Sequence, residues 1–235
     1  MRRISQEELT KAIELHKKYL DGVRGGKRCV LKFHDLSRLD LSGQDLSGAD
    51  FSGSNLNHAK LHKGQFKTTL FFFCDLKKAD LSKANFERSD FRGATLINAN
   101  LKQADFNEAD FRQGFIMNYE TDSDAEDWKR LGHTEFKGSI MRGTDLSNVM
   151  AQMTDFSDAN MESVIMHEAN LTDANLSGAN LSNSDFTGSN MMRAKLEDVM
   201  VQGTTLDGVM GDISSLEKIR RSHPLRSVEA VRAPD

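Results

Sequence analysis

The reactive side chains of this sequence are mostly carboxylates, and they recur at five-residue intervals: Asp35, Asp40, Asp45 and Asp50, then Asp75 and Asp80, then Asp105 and Asp110. Two carboxylates held close together could divide the work of a general acid and a general base. Here each pair is a by-product of repetition, so the acids mark an architecture rather than a catalytic centre. His58 and His62 are the one close histidine pair and lack further ligands at metal-binding spacing. Cys29 and Cys74 form neither a metal nor a redox motif. No phosphate-binding loop, dinucleotide fingerprint or Ser–His–Asp set stands out. The expectation is a protein without catalytic residues, metal or cofactor. One segment differs: Glu120, Asp122, Asp124, Glu126 and Asp127 crowd beside Trp128, the only tryptophan. Acids next to a large aromatic suit recognition of a partner.

The elements that position these groups follow from a second series in the same register. A large apolar residue stands at nearly every fifth position from Leu36 through Leu41, Leu46 and Phe51 to Phe111 and Ile116. The series resumes at Phe136 and runs to Leu206. Two residues before each is a small one, as in Ala49, Ala59, Ala79 and Ala174. Positions five apart drift by about 140° on a helix and make no stripe. An odd period cannot keep one side of a flat strand inward either. The small and large residues of a quintet both face inward only if the chain turns a corner before the next quintet. The result is a coiled backbone whose short faces stack on the coil below at about 4.8 Å. It buries a continuous core although only 38% of the chain is hydrophobic.

Quintets such as GADFS, KADLS, NANLK and GANLS resemble the pentapeptide repeat family, whose consensus is Ala-Asp/Asn-Leu-X-X. The resemblance implies an all-β solenoid, a right-handed quadrilateral β-helix of about eight coils with 20 residues each, over residues 35–212.

Residues 1–34 are different. Ser5 and Glu8 fit a capping box and Ile4 and Leu9 a hydrophobic staple. Leu9, Ala12, Ile13, His16 and Leu20 fall on one helical face, and Gly22, Gly25 and Gly26 end the helix. An N-terminal α-helical cap over the first coil is expected. Repeats then fill 35–116, an acidic insertion 117–135 breaks the ladder, repeats fill 136–212, and 213–235 is a short C-terminal helix with a basic tail. The insertion is read either as a projecting loop or as one degenerate coil, with the loop preferred.

Charge is uneven: residues 1–34 carry +5, 35–112 zero, 113–212 −11 and 213–235 +2. Apolar residues also occupy outward positions, among them Phe115, Met117, Met150, Met192 and Met210, the last three on one face of a 20-residue coil. Two modes of protein binding follow. Acidity suits a cationic partner, and some members of the resembled family mimic B-form DNA and bind DNA gyrase or another type II topoisomerase. A methionine and phenylalanine strip suits an adaptor or a homodimer. Direct nucleic-acid binding is not expected of the acidic half. No membrane-length apolar stretch or signal segment is evident, which points to the cytoplasm.

Overall fold

The computed structural model describes residues 1–117, 128–130 and 132–211. Successive coils pair in parallel at a spacing of twenty residues, as in Asp35↔Asn55↔Asp75 and Asp45↔Gln65↔Asn85. Twenty residues are four quintets, so the solenoid has four faces. They are identified below by their first core residue: the Leu36, Leu41, Leu46 and Phe51 faces.

Inside, like stacks on like. Phe66, Phe86 and Phe106 overlap with ring centroids 5.1 and 4.8 Å apart. Phe71 and Phe91 stack at 4.7 Å on the adjoining face. These rings are fully buried, as are the intervening Ala79, Ala94, Ala99 and Ala109 or nearly so. Where the small position carries a threonine, its hydroxyl donates back into the coil below: Thr69 to the Leu46 carbonyl, Thr144 to Leu101 and Thr204 to Leu181. A polar side chain is thereby buried without loss of a hydrogen bond.

Where the quintet carries Asp or Asn before its large residue, that side chain supports the corner. The side-chain oxygen of Asp35 accepts from the Ser37 amide and that of Asp145 from the Ser147 amide, both across the turn. The second turn residue has positive φ, as at Arg38 (63°), His58 (58°) and Lys78 (57°). Two corners of the Phe51 face require glycine for a further reason. A Cβ on Gly53 would lie 2.4 Å from the Phe33 ring, and one on Gly93 would lie 2.7 Å from the Phe73 ring. An aromatic corner in one coil thus lies over a glycine corner in the next.

The N-terminal residues pair and pack with the first coils. β1 (Arg2–Arg3) pairs in parallel with β2 (His34–Asp35), which lays Ile4 against the core. α1 (Gln6–Leu20) begins with a Ser5/Glu8 capping box. It ends in a Schellman turn, where Val23 donates to the Lys18 carbonyl and Gly22 to the Tyr19 carbonyl. Leu9 and His16 are fully buried, whereas Leu20, assigned from sequence to the same face, is exposed.

The interruption departs from the expected boundaries. Thr95 pairs with Glu135, and Asn100 with Ile140, a spacing of forty in place of twenty. Phe111 is therefore followed in the core by Phe136, whose ring lies 4.9 Å away. Ile116, read from sequence as the last rung of 35–116, lies outside the ladder. It belongs to β3 (Phe115–Met117), which pairs antiparallel with β4 (Trp128–Arg130), opposite Lys129. The excursion thus starts before residue 117.

Candidate functional site

Among the described residues, no group of three or more His, Cys, Asp or Glu could hold a metal ion, and no helix is long and apolar enough to cross a membrane. The cysteines are packing groups. Burial pushes the Cys29 thiol up to about 12 and raises Cys74 as well, and Cys74 donates to the Phe51 carbonyl in a small inward slot. Asp and Asn side chains are engaged at the corners and between coils, as in Asn55 donating to Asp35 at 3.0 Å.

The acidic cluster Glu120, Asp122, Asp124, Glu126 and Asp127 lies outside the described residues. Met117 and Trp128 are opposite each other in the β3–β4 pair. Phe115, 49% exposed, lines a groove with Arg92, Arg112, Gln113, Gln152 and Met153 on the Phe51 face. Above it the Arg92 guanidinium sits 5.5 Å from the Phe72 ring, while pairing with Asp90 and Asp110. Met150, Met192 and Met210 do share the Phe51 face, but not as an unbroken strip. Met150 pairs with Asn170, Asn170 with Asn190, and Asn190 with Met210. The structure gathers Phe115, Met150 and Met153 near the base of the excursion and leaves Met192 and Met210 at the far end.

Folding also sorts the charges in a way that the linear sequence conceals. On the Leu46 face stand Asp45, Glu87, Asp105, Glu108, Asp145, Glu168, Asp185 and Asp207, against only Lys67 and Arg88. The two bases are spent within the face, Lys67 on Glu87 at 2.6 Å and Arg88 on Glu108 at 2.7 Å. Toward the C-terminal end Asp145, Glu168 and Asp207 make no ion pair among the described residues. Asp185 takes a hydrogen bond from the Thr187 hydroxyl and faces His167 at 2.9 Å, which lowers its pKa to about 2. The corner after the Leu36 face carries both signs. It reads Arg38, His58, Lys78 and Asn98 in the first half, then Gly138, Asp158, Gly178 and Asp198. Reading every twentieth residue would have revealed both columns.

A four-sided solenoid with charged outer columns around a closed apolar core is the fold class that these repeats build. The pentapeptide repeat model matches in eight copies over residues 35–71, 74–113, 130–162 and 169–208, and the chain belongs to the pentapeptide repeat family. Its fold is accordingly the right-handed quadrilateral β-helix of that family. Among solved structures it is similar to a trypsin-treated form of QnrB1, a plasmid-mediated fluoroquinolone resistance protein. That match has TM-score 0.59 and 18% identity, over 83% of this chain and 95% of the other. HetL, involved in heterocyst differentiation regulation in the cyanobacterium Nostoc sp. strain PCC 7120, matches at 22% identity and TM-score 0.40, over 85% and 96% of the two chains. A pentapeptide repeat protein of the Arabidopsis thaliana thylakoid lumen matches at 32% identity and TM-score 0.41, over 50% and 68%. No curated protein sequence matches this chain.

Proposed function

We propose that this protein is a non-catalytic binding rod whose Leu46 face engages a cationic protein surface, in its sharpest form the DNA-binding surface of a type II topoisomerase such as DNA gyrase. The observation that carries the reading is the segregation of charge onto that face. From Asp45 to Asp207 the face spans about 34 Å, at about 4.8 Å per coil. A B-form duplex of that length carries about 20 phosphates, of which about ten face any one side. Eight carboxylates stand on the face, and the six not paired with Lys67 or Arg88 amount to more than half that density. On this reading the chain works in the cytoplasm beside its target and does not bind nucleic acid through the same face.

Titration into a gyrase supercoiling assay, with and without a quinolone, tests it. Inhibition or drug protection should fade between low and moderate salt, because exposed charges are screened over about 8–10 Å. It should also vanish when Asp145, Glu168 and Asp207 are changed to Lys. No effect at any protein concentration would end the topoisomerase reading.

The groove at Phe115 and Met153 favours a second reading, an adaptor that grips a partner through the Phe51 face. Such a contact should be indifferent to salt, insensitive to the Leu46-face changes and lost on Phe115→Ser with Met153→Ser.

A further inference from the structure

The corner column after the Leu36 face is complementary to itself when reversed. Its first half is basic and its second half acidic, with all four charged members, Arg38, Lys78, Asp158 and Asp198, exposed. Laid antiparallel against a second copy, the column sets Arg38 opposite Asp198 and Lys78 opposite Asp158. The stacked repeat makes this match geometric as well as electrostatic. Arg38 and Lys78 are two coils apart, and so are Asp158 and Asp198, because the excursion leaves the core ladder unbroken between Thr95 and Glu135. His58 meets Gly178, so the imidazole corner faces one without a side chain.

These charges are free to act. Among the described residues Arg38, Lys78 and Asp198 make no ion pair, and Asp158 makes only a long one, 3.8 Å, to Lys137. The flanking columns do not oppose the arrangement. An antiparallel two-fold brings each column against itself, which places Lys77 against Ser157, Glu197 against Ser37 and Lys60 against Asn180. No like charges meet in them.

We infer that two copies of this chain associate side by side and antiparallel along the corner between the Leu36 and Leu41 faces, with Arg38–Asp198 and Lys78–Asp158 pairs repeated twice by the two-fold axis. The contact is isologous and therefore closes at two copies rather than growing into a filament. The Leu46 face lies on the far side of each rod and stays open. The dimer would display two acidic faces splayed outward on one side.

Sedimentation equilibrium of the full chain tests this. At about 50 mM salt the mass should be that of two chains. The dissociation constant should rise about tenfold or more at about 500 mM salt, since the contact is made of exposed charges. Arg38→Asp with Lys78→Asp should give monomers, and so should Asp158→Lys with Asp198→Arg. An equimolar mixture of those two variants should recover the two-chain mass, because every opposed pair is then again of opposite sign. Circular dichroism matching the parent shows that the variants fold, and Lys63→Glu with Lys83→Glu, on the next corner, should leave the dimer intact. Three results would each overturn the inference: a monomeric parent at low salt, a dimer that survives either double variant, or a mixture that stays monomeric.

Discussion

His16 Nδ1 accepts a hydrogen bond from the Cys29 amide at 3.0 Å, while its Nε2 lies 3.1 Å from the Ser47 carbonyl. The proton must therefore sit on Nε2, because a carbonyl can only accept and an amide N–H can only donate. One buried ring joins α1, the segment after it and the coils. Replacing it with Ala leaves both backbone groups unpaired beside a cavity, so His16→Ala should cost about 2–4 kcal/mol in urea unfolding.

The same ring makes stability depend on pH. Burial lowers the His16 pKa against weaker opposing effects of the Ser47 carbonyl and Asp45, with Arg28 acting in the lowering direction. The unfolded chain then takes up a proton near pH 6.5 while the folded one does not. Stability should be full above that pH and decline as pH falls toward the lower folded value. The urea midpoint should drop between pH 7.5 and 5, with a smaller drop in His16→Gln. Equal drops in both proteins would assign the dependence to other groups.

Gly93 lies under the Phe73 ring at a corner with φ of 67°. Gly93→Ala adds a Cβ into that ring and onto a left-handed backbone, and should destabilise by about 1–3 kcal/mol. Most of the other corners tolerate side chains at the same φ, so the ring contributes the larger share. With Phe73→Ala already present, the Gly93→Ala cost should shrink to about 1 kcal/mol or less, which a double-mutant cycle measures directly.

The hydroxyl at Thr144 donates to the Leu101 carbonyl at 2.8 Å, and that carbonyl also accepts from the Ala104 amide. Thr144→Val keeps the shape and removes one of two bonds, so it should cost about 0.5–1.5 kcal/mol. Thr144→Ser keeps the donor but gives up a buried methyl. If Val proves as stable as the parent, the buried hydroxyls on the small positions are passengers rather than ties between coils.

Much of this was legible in the quintets. Alternation of small and large inward residues demanded a corner every five residues, and Ser5, Glu8 and Gly22 marked the helix ends. Ile116 misled because the excursion occupies one full coil length, so its residues keep the five-residue register while leaving the ladder. The charged columns were hidden for a different reason. Residues 35–112 sum to zero, yet Arg38 and Lys78 stand on one corner while Glu87 and Asp105 stand on another face. Only the coil length separates them. The Met150–Asn170–Asn190–Met210 order shows the converse, a strip that sequence spacing suggested and intervening asparagines break.

That coil-length match yields a last expectation about the excursion. Thr134 already occupies a small inward position, donating to the Phe91 carbonyl at 3.0 Å, and Gln113 holds the sequence place of a second turn residue in its quintet. Joining Gln113 directly to Thr134 removes residues 114–133, twenty in all, and reads Phe111-Arg-Gln-Thr-Glu-Phe136, an unbroken quintet. The Thr95↔Glu135 and Asn100↔Ile140 pairings need no change, because they already skip the excised segment. The shortened chain should keep its circular dichroism and unfold cooperatively, within about 1 kcal/mol of the parent, since shortening a loop alters closure entropy only slightly. Loss of cooperative unfolding would mean that the β3–β4 pair supports the rod instead of being carried by it. Retention of the fold would give a protein in which the excursion's part in partner binding can be measured without a change in the scaffold.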